Sequence, residues 1–181
     1  MYLQNGRNKK MNSKEIKKYL KENGINTKNI SIKGSNCGYS ESYNITIKDI
    51  NIDIEKVRKL VQKLESYERD ERTGEILEGG NTYIFVNYDY NTLKLANEKY
   101  NNIVLDIINK KLKQHCQTDI DAWNNGNGAV RISENIIIYK DGSTYEVRES
   151  KSYKTLRTGI DYIAETLIQL GKLNEVVKGV E

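Results

Sequence analysis

Residues Glu68–Tyr88 read ERDERTGEILEGGNTYIFVNY. The segment changes character at Gly79-Gly80. Before the pair it is charged and carries Gly74. After it, Tyr83, Ile84, Phe85, Val86 and Tyr88 form a β-branched and aromatic run that suits a pleated, half-buried surface. Two adjacent glycines mark a backbone position that needs positive φ or a close approach. The pattern predicts an exposed loop over 68–80, not a helix, that delivers the chain into a strand. With no proline in the run and one face wholly apolar or aromatic, that strand is expected at the centre of a sheet.

Upstream, Asn29–Lys33 (NISIK) and Tyr43–Lys48 (YNITIK) alternate at period two and read as strands joined by the loop Gly34–Ser42. A helix precedes them. Asn12 is its cap, Glu15 completes a capping box, Met11 and Ile16 form a staple, and Gly24 ends it. A second helix starts at Asp53, with Ile52 and Val57 as staple and Val57, Leu60, Val61 and Leu64 as its buried stripe.

Downstream, Asn91–His115 reads as a long helix with Leu93, Ala96, Tyr100, Ile103, Ile107 and Leu112 on one face. The stretch CQTDIDAWNNGNGA reads as a loop. Val130–Tyr139 and Thr144–Glu149 read as a hairpin turning at Asp141-Gly142. Arg157–Val177 reads as a closing helix with Ile160, Ile163, Leu167, Leu170 and Val177 inward. The expected class is α+β. A helix-strand-strand-helix-strand half (residues 12–90) is followed by a helix-hairpin-helix half (91–181), with helices packed on an antiparallel or mixed sheet around separate or shared cores. Residues 1–11 read as a disordered arm.

The chain has 181 residues, one domain's worth or two small ones. A net charge of +4 permits nucleic acid as a partner without demanding it. No apolar run reaches the length of a membrane span, and the N-terminus lacks a signal peptide's apolar core, so a cytoplasmic location in a host cell is expected. Cys37 and Cys116 are far apart, in no metal-ligand spacing, and are expected reduced. Proline is absent while Lys, Asn, Ile and Tyr abound, a bias that points to an A+T-rich coding genome.

Few residues offer chemistry. Glu68, Asp70, Glu71, Glu75 and Glu78 crowd the central loop, but they lack the spacing of an ion site and alternate with Arg69 and Arg72. His115 is the only histidine, and its neighbour Cys116 points elsewhere on a helical backbone. GEILEGGN is not a phosphate loop, because no Lys-Ser/Thr follows it. No catalytic residue, metal site or cofactor is therefore expected. The basic helix faces are the stronger signal. Lys14, Lys17, Lys18 and Lys21, then Lys56, Lys59 and Lys63, then Lys110, Lys111 and Lys113 could track phosphates or steer a partner. Trp123 and the thirteen tyrosines could anchor an interface.

The helix KEIKKYLKENG, the strands NISIK and YNITIK, the helix EKVRKLVQKLESYE and the run DERTGEILEGGNTYIFVNYD together resemble the large polyvalent protein-associated domain, type 29, over about residues 12–90. That resemblance implies a protein of a phage or conjugative element that helps incoming DNA establish itself or evade host defence. In size and context the chain is also similar to small anti-CRISPR proteins. The expected function is a non-enzymatic inhibitor that binds a CRISPR-associated (Cas) nuclease, alone or with its nucleic acid. The alternative is a nucleic-acid-binding protein that escorts mobile DNA.

Overall fold

The computed structural model describes residues 12–77, 80–152 and 154–178, with the Cys37 side chain left aside. The expected arm at 1–11 and the Met11 staple lie outside the described residues. The protein is α+β and divides into two compact units, Met1–Asn87 and Tyr88–Glu181.

In the first unit the order is α1 (Ser13–Glu22), β1 (Ile30–Cys37), β2 (Ser40–Ile47), α2 (Ile54–Val61), a 3-10 turn at Gln62–Leu64, and β3 (Thr82–Tyr88). Helix α1 starts where its capping box requires. The Asn12 Oδ1 accepts from the amides of Lys14 and Glu15, and the Glu15 carboxylate accepts from the Asn12 amide. Asp53 caps α2 through the Lys56 amide. Ile16 and Leu20 of α1 and Ile54, Val57 and Val61 of α2 are buried, together with Tyr43, Ile45, Ile47, Ile84 and Val86 of the sheet. The alternation in the strands explains this, since residues two apart share a face.

The first unit departs from the expected pattern at two points. The strands β1 and β2 extend through the supposed loop and pair antiparallel from Ile30↔Ile47 to Cys37↔Ser40. Only Gly38 and Tyr39 remain as the turn, and Gly38 takes the positive φ (59°) that a two-residue hairpin needs. The run GSNCGYSES lacks apolar alternation, so its strand character comes from pairing alone. The strand β3 is also not central. The sheet is mixed with order β1-β2-β3, so β3 is an edge. That edge is covered by other means: Thr82 and Ser66 exchange backbone bonds, the Glu65 carboxylate accepts from the Ile84 amide, and the Arg58 guanidinium donates to the Val86 carbonyl.

In the second unit the order is α3 (Tyr90–Leu112), α4 (Gln117–Asn124), β4 (Asn127–Arg131), β5 (Ile136–Asp141), β6 (Thr144–Glu149), β7 (Thr155–Thr158), a 3-10 turn at Ile160–Tyr162, α5 (Ile163–Gln169) and α6 (Leu173–Lys178). The four strands form an antiparallel sheet in sequence order. The expected hairpin at Asp141-Gly142 is β5–β6. Its first strand, however, is two strands, split by the turn Ser133-Glu134-Asn135. The α6 carboxylate of Glu175 holds that turn by accepting from the Ser133 hydroxyl and from the Asn135 amide and side chain. The expected single closing helix is a strand, a 3-10 turn and two short helices. Gly159 precedes the 3-10 turn, and Gly171, at φ 68°, ends α5. The buried face of α3 is Leu93, Ala96, Asn101, Val104, Ile107, Ile108 and Leu112, which leaves Ile103 at 40% exposure. The stretch read as a loop around Trp123 contains α4.

Candidate functional site

The open face of the first sheet carries Ser31, Lys33 and Ser35 on β1, Ser42, Asn44 and Thr46 on β2, and Tyr83, Phe85 and Asn87 on β3, by the same alternation that buries their neighbours. Phe85 is 52% exposed. Beyond β2 and β3 the face runs into a groove of about 800 Å³. The hairpin tip (Tyr39, Ser40, Ser42), Tyr83 and Phe85, and Ile76 and Leu77 line it. Ile76, Leu77 and Tyr39 are themselves 47%, 44% and 92% exposed.

One wall of the groove is the charged loop, and it is ordered from within. The Asp70 amide donates to the Glu75 carbonyl, the Leu77 amide to the Glu68 carbonyl, and the Gly74 amide to the Asp70 carbonyl. The Asp70 carboxylate accepts from the amides of Thr73 and Arg72, and these bonds hold it below its usual pKa. Asn81, buried, joins the loop to β3: its side chain donates to the Leu77 carbonyl and accepts from the Glu68 amide. The exposed-loop expectation thus holds for the described residues 68–77 and 80, in the form of a small self-bonded hairpin. Glu68, Glu71 and Glu75 are exposed. Arg69 turns its guanidinium onto the Gly74 carbonyl. The groove thus presents Tyr39, Ile76, Leu77, Tyr83 and Phe85 with Glu41 and Asn81 also in its lining, and the hairpin beside it carries four acids, Glu68, Asp70, Glu71 and Glu75, against Arg69 and Arg72.

The lysines expected to bind are distributed between the units. Lys14, Lys17, Lys18 and Lys21 are exposed on α1. Two are engaged: the Lys17 ammonium donates to the Ile30 carbonyl on the β1 edge, and Lys18 pairs with Glu22 at 3.8 Å. Lys56, Lys59 and Lys63 line an open depression of about 720 Å³ with Asp53 and Glu55, so acids interrupt the basic line. Lys110, Lys111 and Lys113 sit at the C-terminal end of α3, where cations offset the helix dipole.

Trp123 is not an exposed anchor. It lies in α4, is 7% exposed, packs against Tyr145 with the ring centroids 5.9 Å apart and the rings tilted by 55°, and has the Lys140 ammonium over its ring. Gly128 makes this packing possible, because a Cβ there would come within 2.7 Å of the Trp123 backbone. His115 and Cys116 do not pair. The His115 Nδ1 lies 3.2 Å from an Asp119 carboxylate oxygen, and the bonds from His115 and then Cys116 hold that carboxyl below its usual range. No imidazole is presented to the sulfur. Among the described residues, no three His, Cys, Asp or Glu side chains converge to hold a metal ion, and no helix is long and apolar enough to cross a membrane.

Sequence reasoning missed the groove because the hairpin tip and Ile76-Leu77 lie far apart in the chain. The one available signal was Tyr83 and Phe85, the second apolar face of β3. A strand apolar on both faces leaves one of them in solvent when only one side of its sheet is covered.

No family model, curated protein or solved structure matches this chain significantly.

Proposed function

We propose that this chain is a non-enzymatic anti-defence protein of a phage or plasmid that works in the host cytoplasm. It inhibits a CRISPR-associated nuclease by seating the groove of its first unit on that enzyme's nucleic-acid-binding cleft. The observation that supports this reading is the contiguous exposure of Tyr39, Ile76, Leu77 and Phe85 beside a carboxylate-rich hairpin. Exposed apolar side chains grouped inside a polar rim are the anatomy of a protein-binding patch. Glu41 in its lining and the net acidic hairpin beside it complement a surface built to hold phosphates. The rival reading, phosphate tracking by the lysine helices, draws less support, since acids interleave with those lysines and the Lys17 ammonium is bonded to the backbone.

The test is a cleavage assay across a panel of reconstituted RNA-guided nucleases. Wild-type protein should suppress cleavage by at least one of them. Phe85→Asp should raise the inhibitory concentration by roughly 30-fold, the equivalent of a hot-spot loss of about 2 kcal/mol. Full inhibition by a folded Phe85→Asp, Leu77→Asp protein would reject the groove, and no inhibition across the panel would reject the function.

A further inference from the structure

The second unit has an open sheet face of its own, with a different chemistry. The register places Arg131, Ile137, Arg148 and Thr155 in one row across β4, β5, β6 and β7, and Ala129, Tyr139, Glu146 and Arg157 in the next. The opposite face is the buried one, with Val130, Ile138 and Val147. Three arginines thus share a face with Glu146. That carboxylate is sunk between two of them, 2.7 Å from an Arg148 nitrogen and 3.9 Å from the Arg157 Nε, with only 19% of its side chain exposed. The Arg157 side chain is 74% exposed. Arg131 is held in place by donating to the Glu134 carbonyl and the Ser150 hydroxyl. The remaining acids lie at the margins: Asp141 at the end of β5, and Glu134, which pairs with Lys151. Solvent therefore meets guanidinium on this face and little carboxylate.

The Arg148 guanidinium lies over the Tyr139 ring at 4.5 Å from its centroid. Held by the ring and by the Glu146 carboxylate, this guanidinium has already lost orientation entropy, and its side chain is still 41% exposed to a planar partner. Arg131 and Arg148 stand two strands apart, roughly 10 Å at the usual strand spacing.

We propose that this sheet face binds single-stranded nucleic acid. Arg131 and Arg157 neutralise phosphates, and the Arg148–Tyr139 stack receives an unpaired base. The charge of the face is complementary to phosphate, and a planar stacking site serves splayed bases rather than the stacked bases of a duplex. This site is separate from the groove of the first unit and does not depend on the function proposed for that groove.

The test uses the full chain and fluorescein-labelled oligothymidylate, oligouridylate and a DNA duplex of equal length, read by anisotropy from about 50 to about 200 mM salt. Both single strands should bind, their affinity falling with salt, and the duplex more weakly. Replacing Arg131, Arg148 and Arg157 together by alanine should cut affinity at least tenfold and flatten the log–log salt slope by about 1.4, since Arg131 and Arg157 each make a phosphate contact and each such contact on a single strand contributes roughly 0.7. The conservative Arg148→Lys should lose affinity while keeping the slope, because it keeps the charge and loses the plane. Phe85→Asp should bind the oligonucleotides as wild type does. Unchanged affinity and slope in a triple variant with native Trp123 fluorescence would overturn the proposal. So would duplex binding as tight as single-strand binding, or no salt-dependent binding by wild type at the lowest salt.

Discussion

Asn101→Ala should destabilise the second unit far more than any other polar truncation on α3. Helix α5 begins without a cap of its own, since Tyr162 offers no side-chain bond to its first turn. The amides that a cap would satisfy are those of Ala164 and Glu165. Both are satisfied from α3 instead. The Asn101 Oδ1 accepts from the Ala164 amide at 3.1 Å while its Nδ2 donates to the Ile160 carbonyl at 3.0 Å. One turn earlier, the Asn97 Oδ1 accepts from the Glu165 amide at 3.0 Å and its Nδ2 donates to the Asp161 carbonyl. Asn101 is 8% exposed and Ala164 is fully buried. Truncation at 101 therefore removes a cap, worth about 1 kcal/mol, and strands a buried donor, worth a further 1–2 kcal/mol or so. A loss of about 2–3 kcal/mol is expected for Asn101→Ala and about 1 kcal/mol for the more exposed Asn97→Ala. Trp123, the only tryptophan, is buried in this unit, so its fluorescence reports urea unfolding of this unit. With a slope near 1.5 kcal/mol/M, the Asn101→Ala midpoint should fall by roughly 1.3–2 M. A midpoint within about 0.3 M of wild type at unchanged slope would refute the capping argument.

Acid should act on the same unit through Lys172, which lies 2.7 Å from a Glu149 oxygen and 3.7 Å from Glu175. Burial pushes both carboxyls up, but for Glu149 the bonds from Lys172 and Ser152, and for Glu175 those from Ser133 and Asn135 with the Lys172 charge, outweigh it and hold both below their usual range. Their contribution is present above the unfolded carboxyl pKa and is lost as pH falls through the lower folded values, so the Trp123 midpoint should drop below about pH 4.5 and drop less in Lys172→Met. Replacing Lys14, Lys18 and Lys21 together by Glu should move stability by under about 0.5 kcal/mol, whereas adding Lys17→Glu should cost about 1–2 kcal/mol more, because it removes a charged donor from the Ile30 carbonyl; thermal melts of the two variants separate these cases. Cys116→Ser should leave the melting temperature and the nuclease inhibition proposed above unchanged, since the thiol is exposed and no imidazole faces it, and inhibition lost in a folded variant would reopen a covalent mechanism.

What the chain disclosed about itself follows the range of the forces involved. The capping box at Asn12–Glu15 and the Asp53 cap are local, complete within four residues, and readable as written. The α+β class follows from periodicity, which is also local. The split between β4 and β5 was hidden because Val130, Ile132, Ile136 and Ile138 keep the same parity on both sides of the turn, with Glu134 the one interruption. The strand β7 was hidden because Leu156 and Ile160 sit at helical spacing, while the pairing of Val147 with Leu156 is set across a turn. Asn97 and Asn101 looked like ordinary polar positions on a helix. Their role depends on a partner about sixty residues away. Both open faces share this character: register brings Arg131, Arg148 and Arg157 together, and nothing in their spacing along the chain does.

As proposed, the groove of the first unit occupies a nuclease's nucleic-acid cleft and so competes with the target. Steady-state cleavage by an inhibited RNA-guided nuclease, measured over a range of target concentrations, tests it most directly. Occupancy of the cleft requires the apparent KM for target to rise with inhibitor at constant kcat, and this rise to be largely abolished by Phe85→Asp. A fall in kcat at constant KM, or equal inhibition by Phe85→Asp, would contradict it.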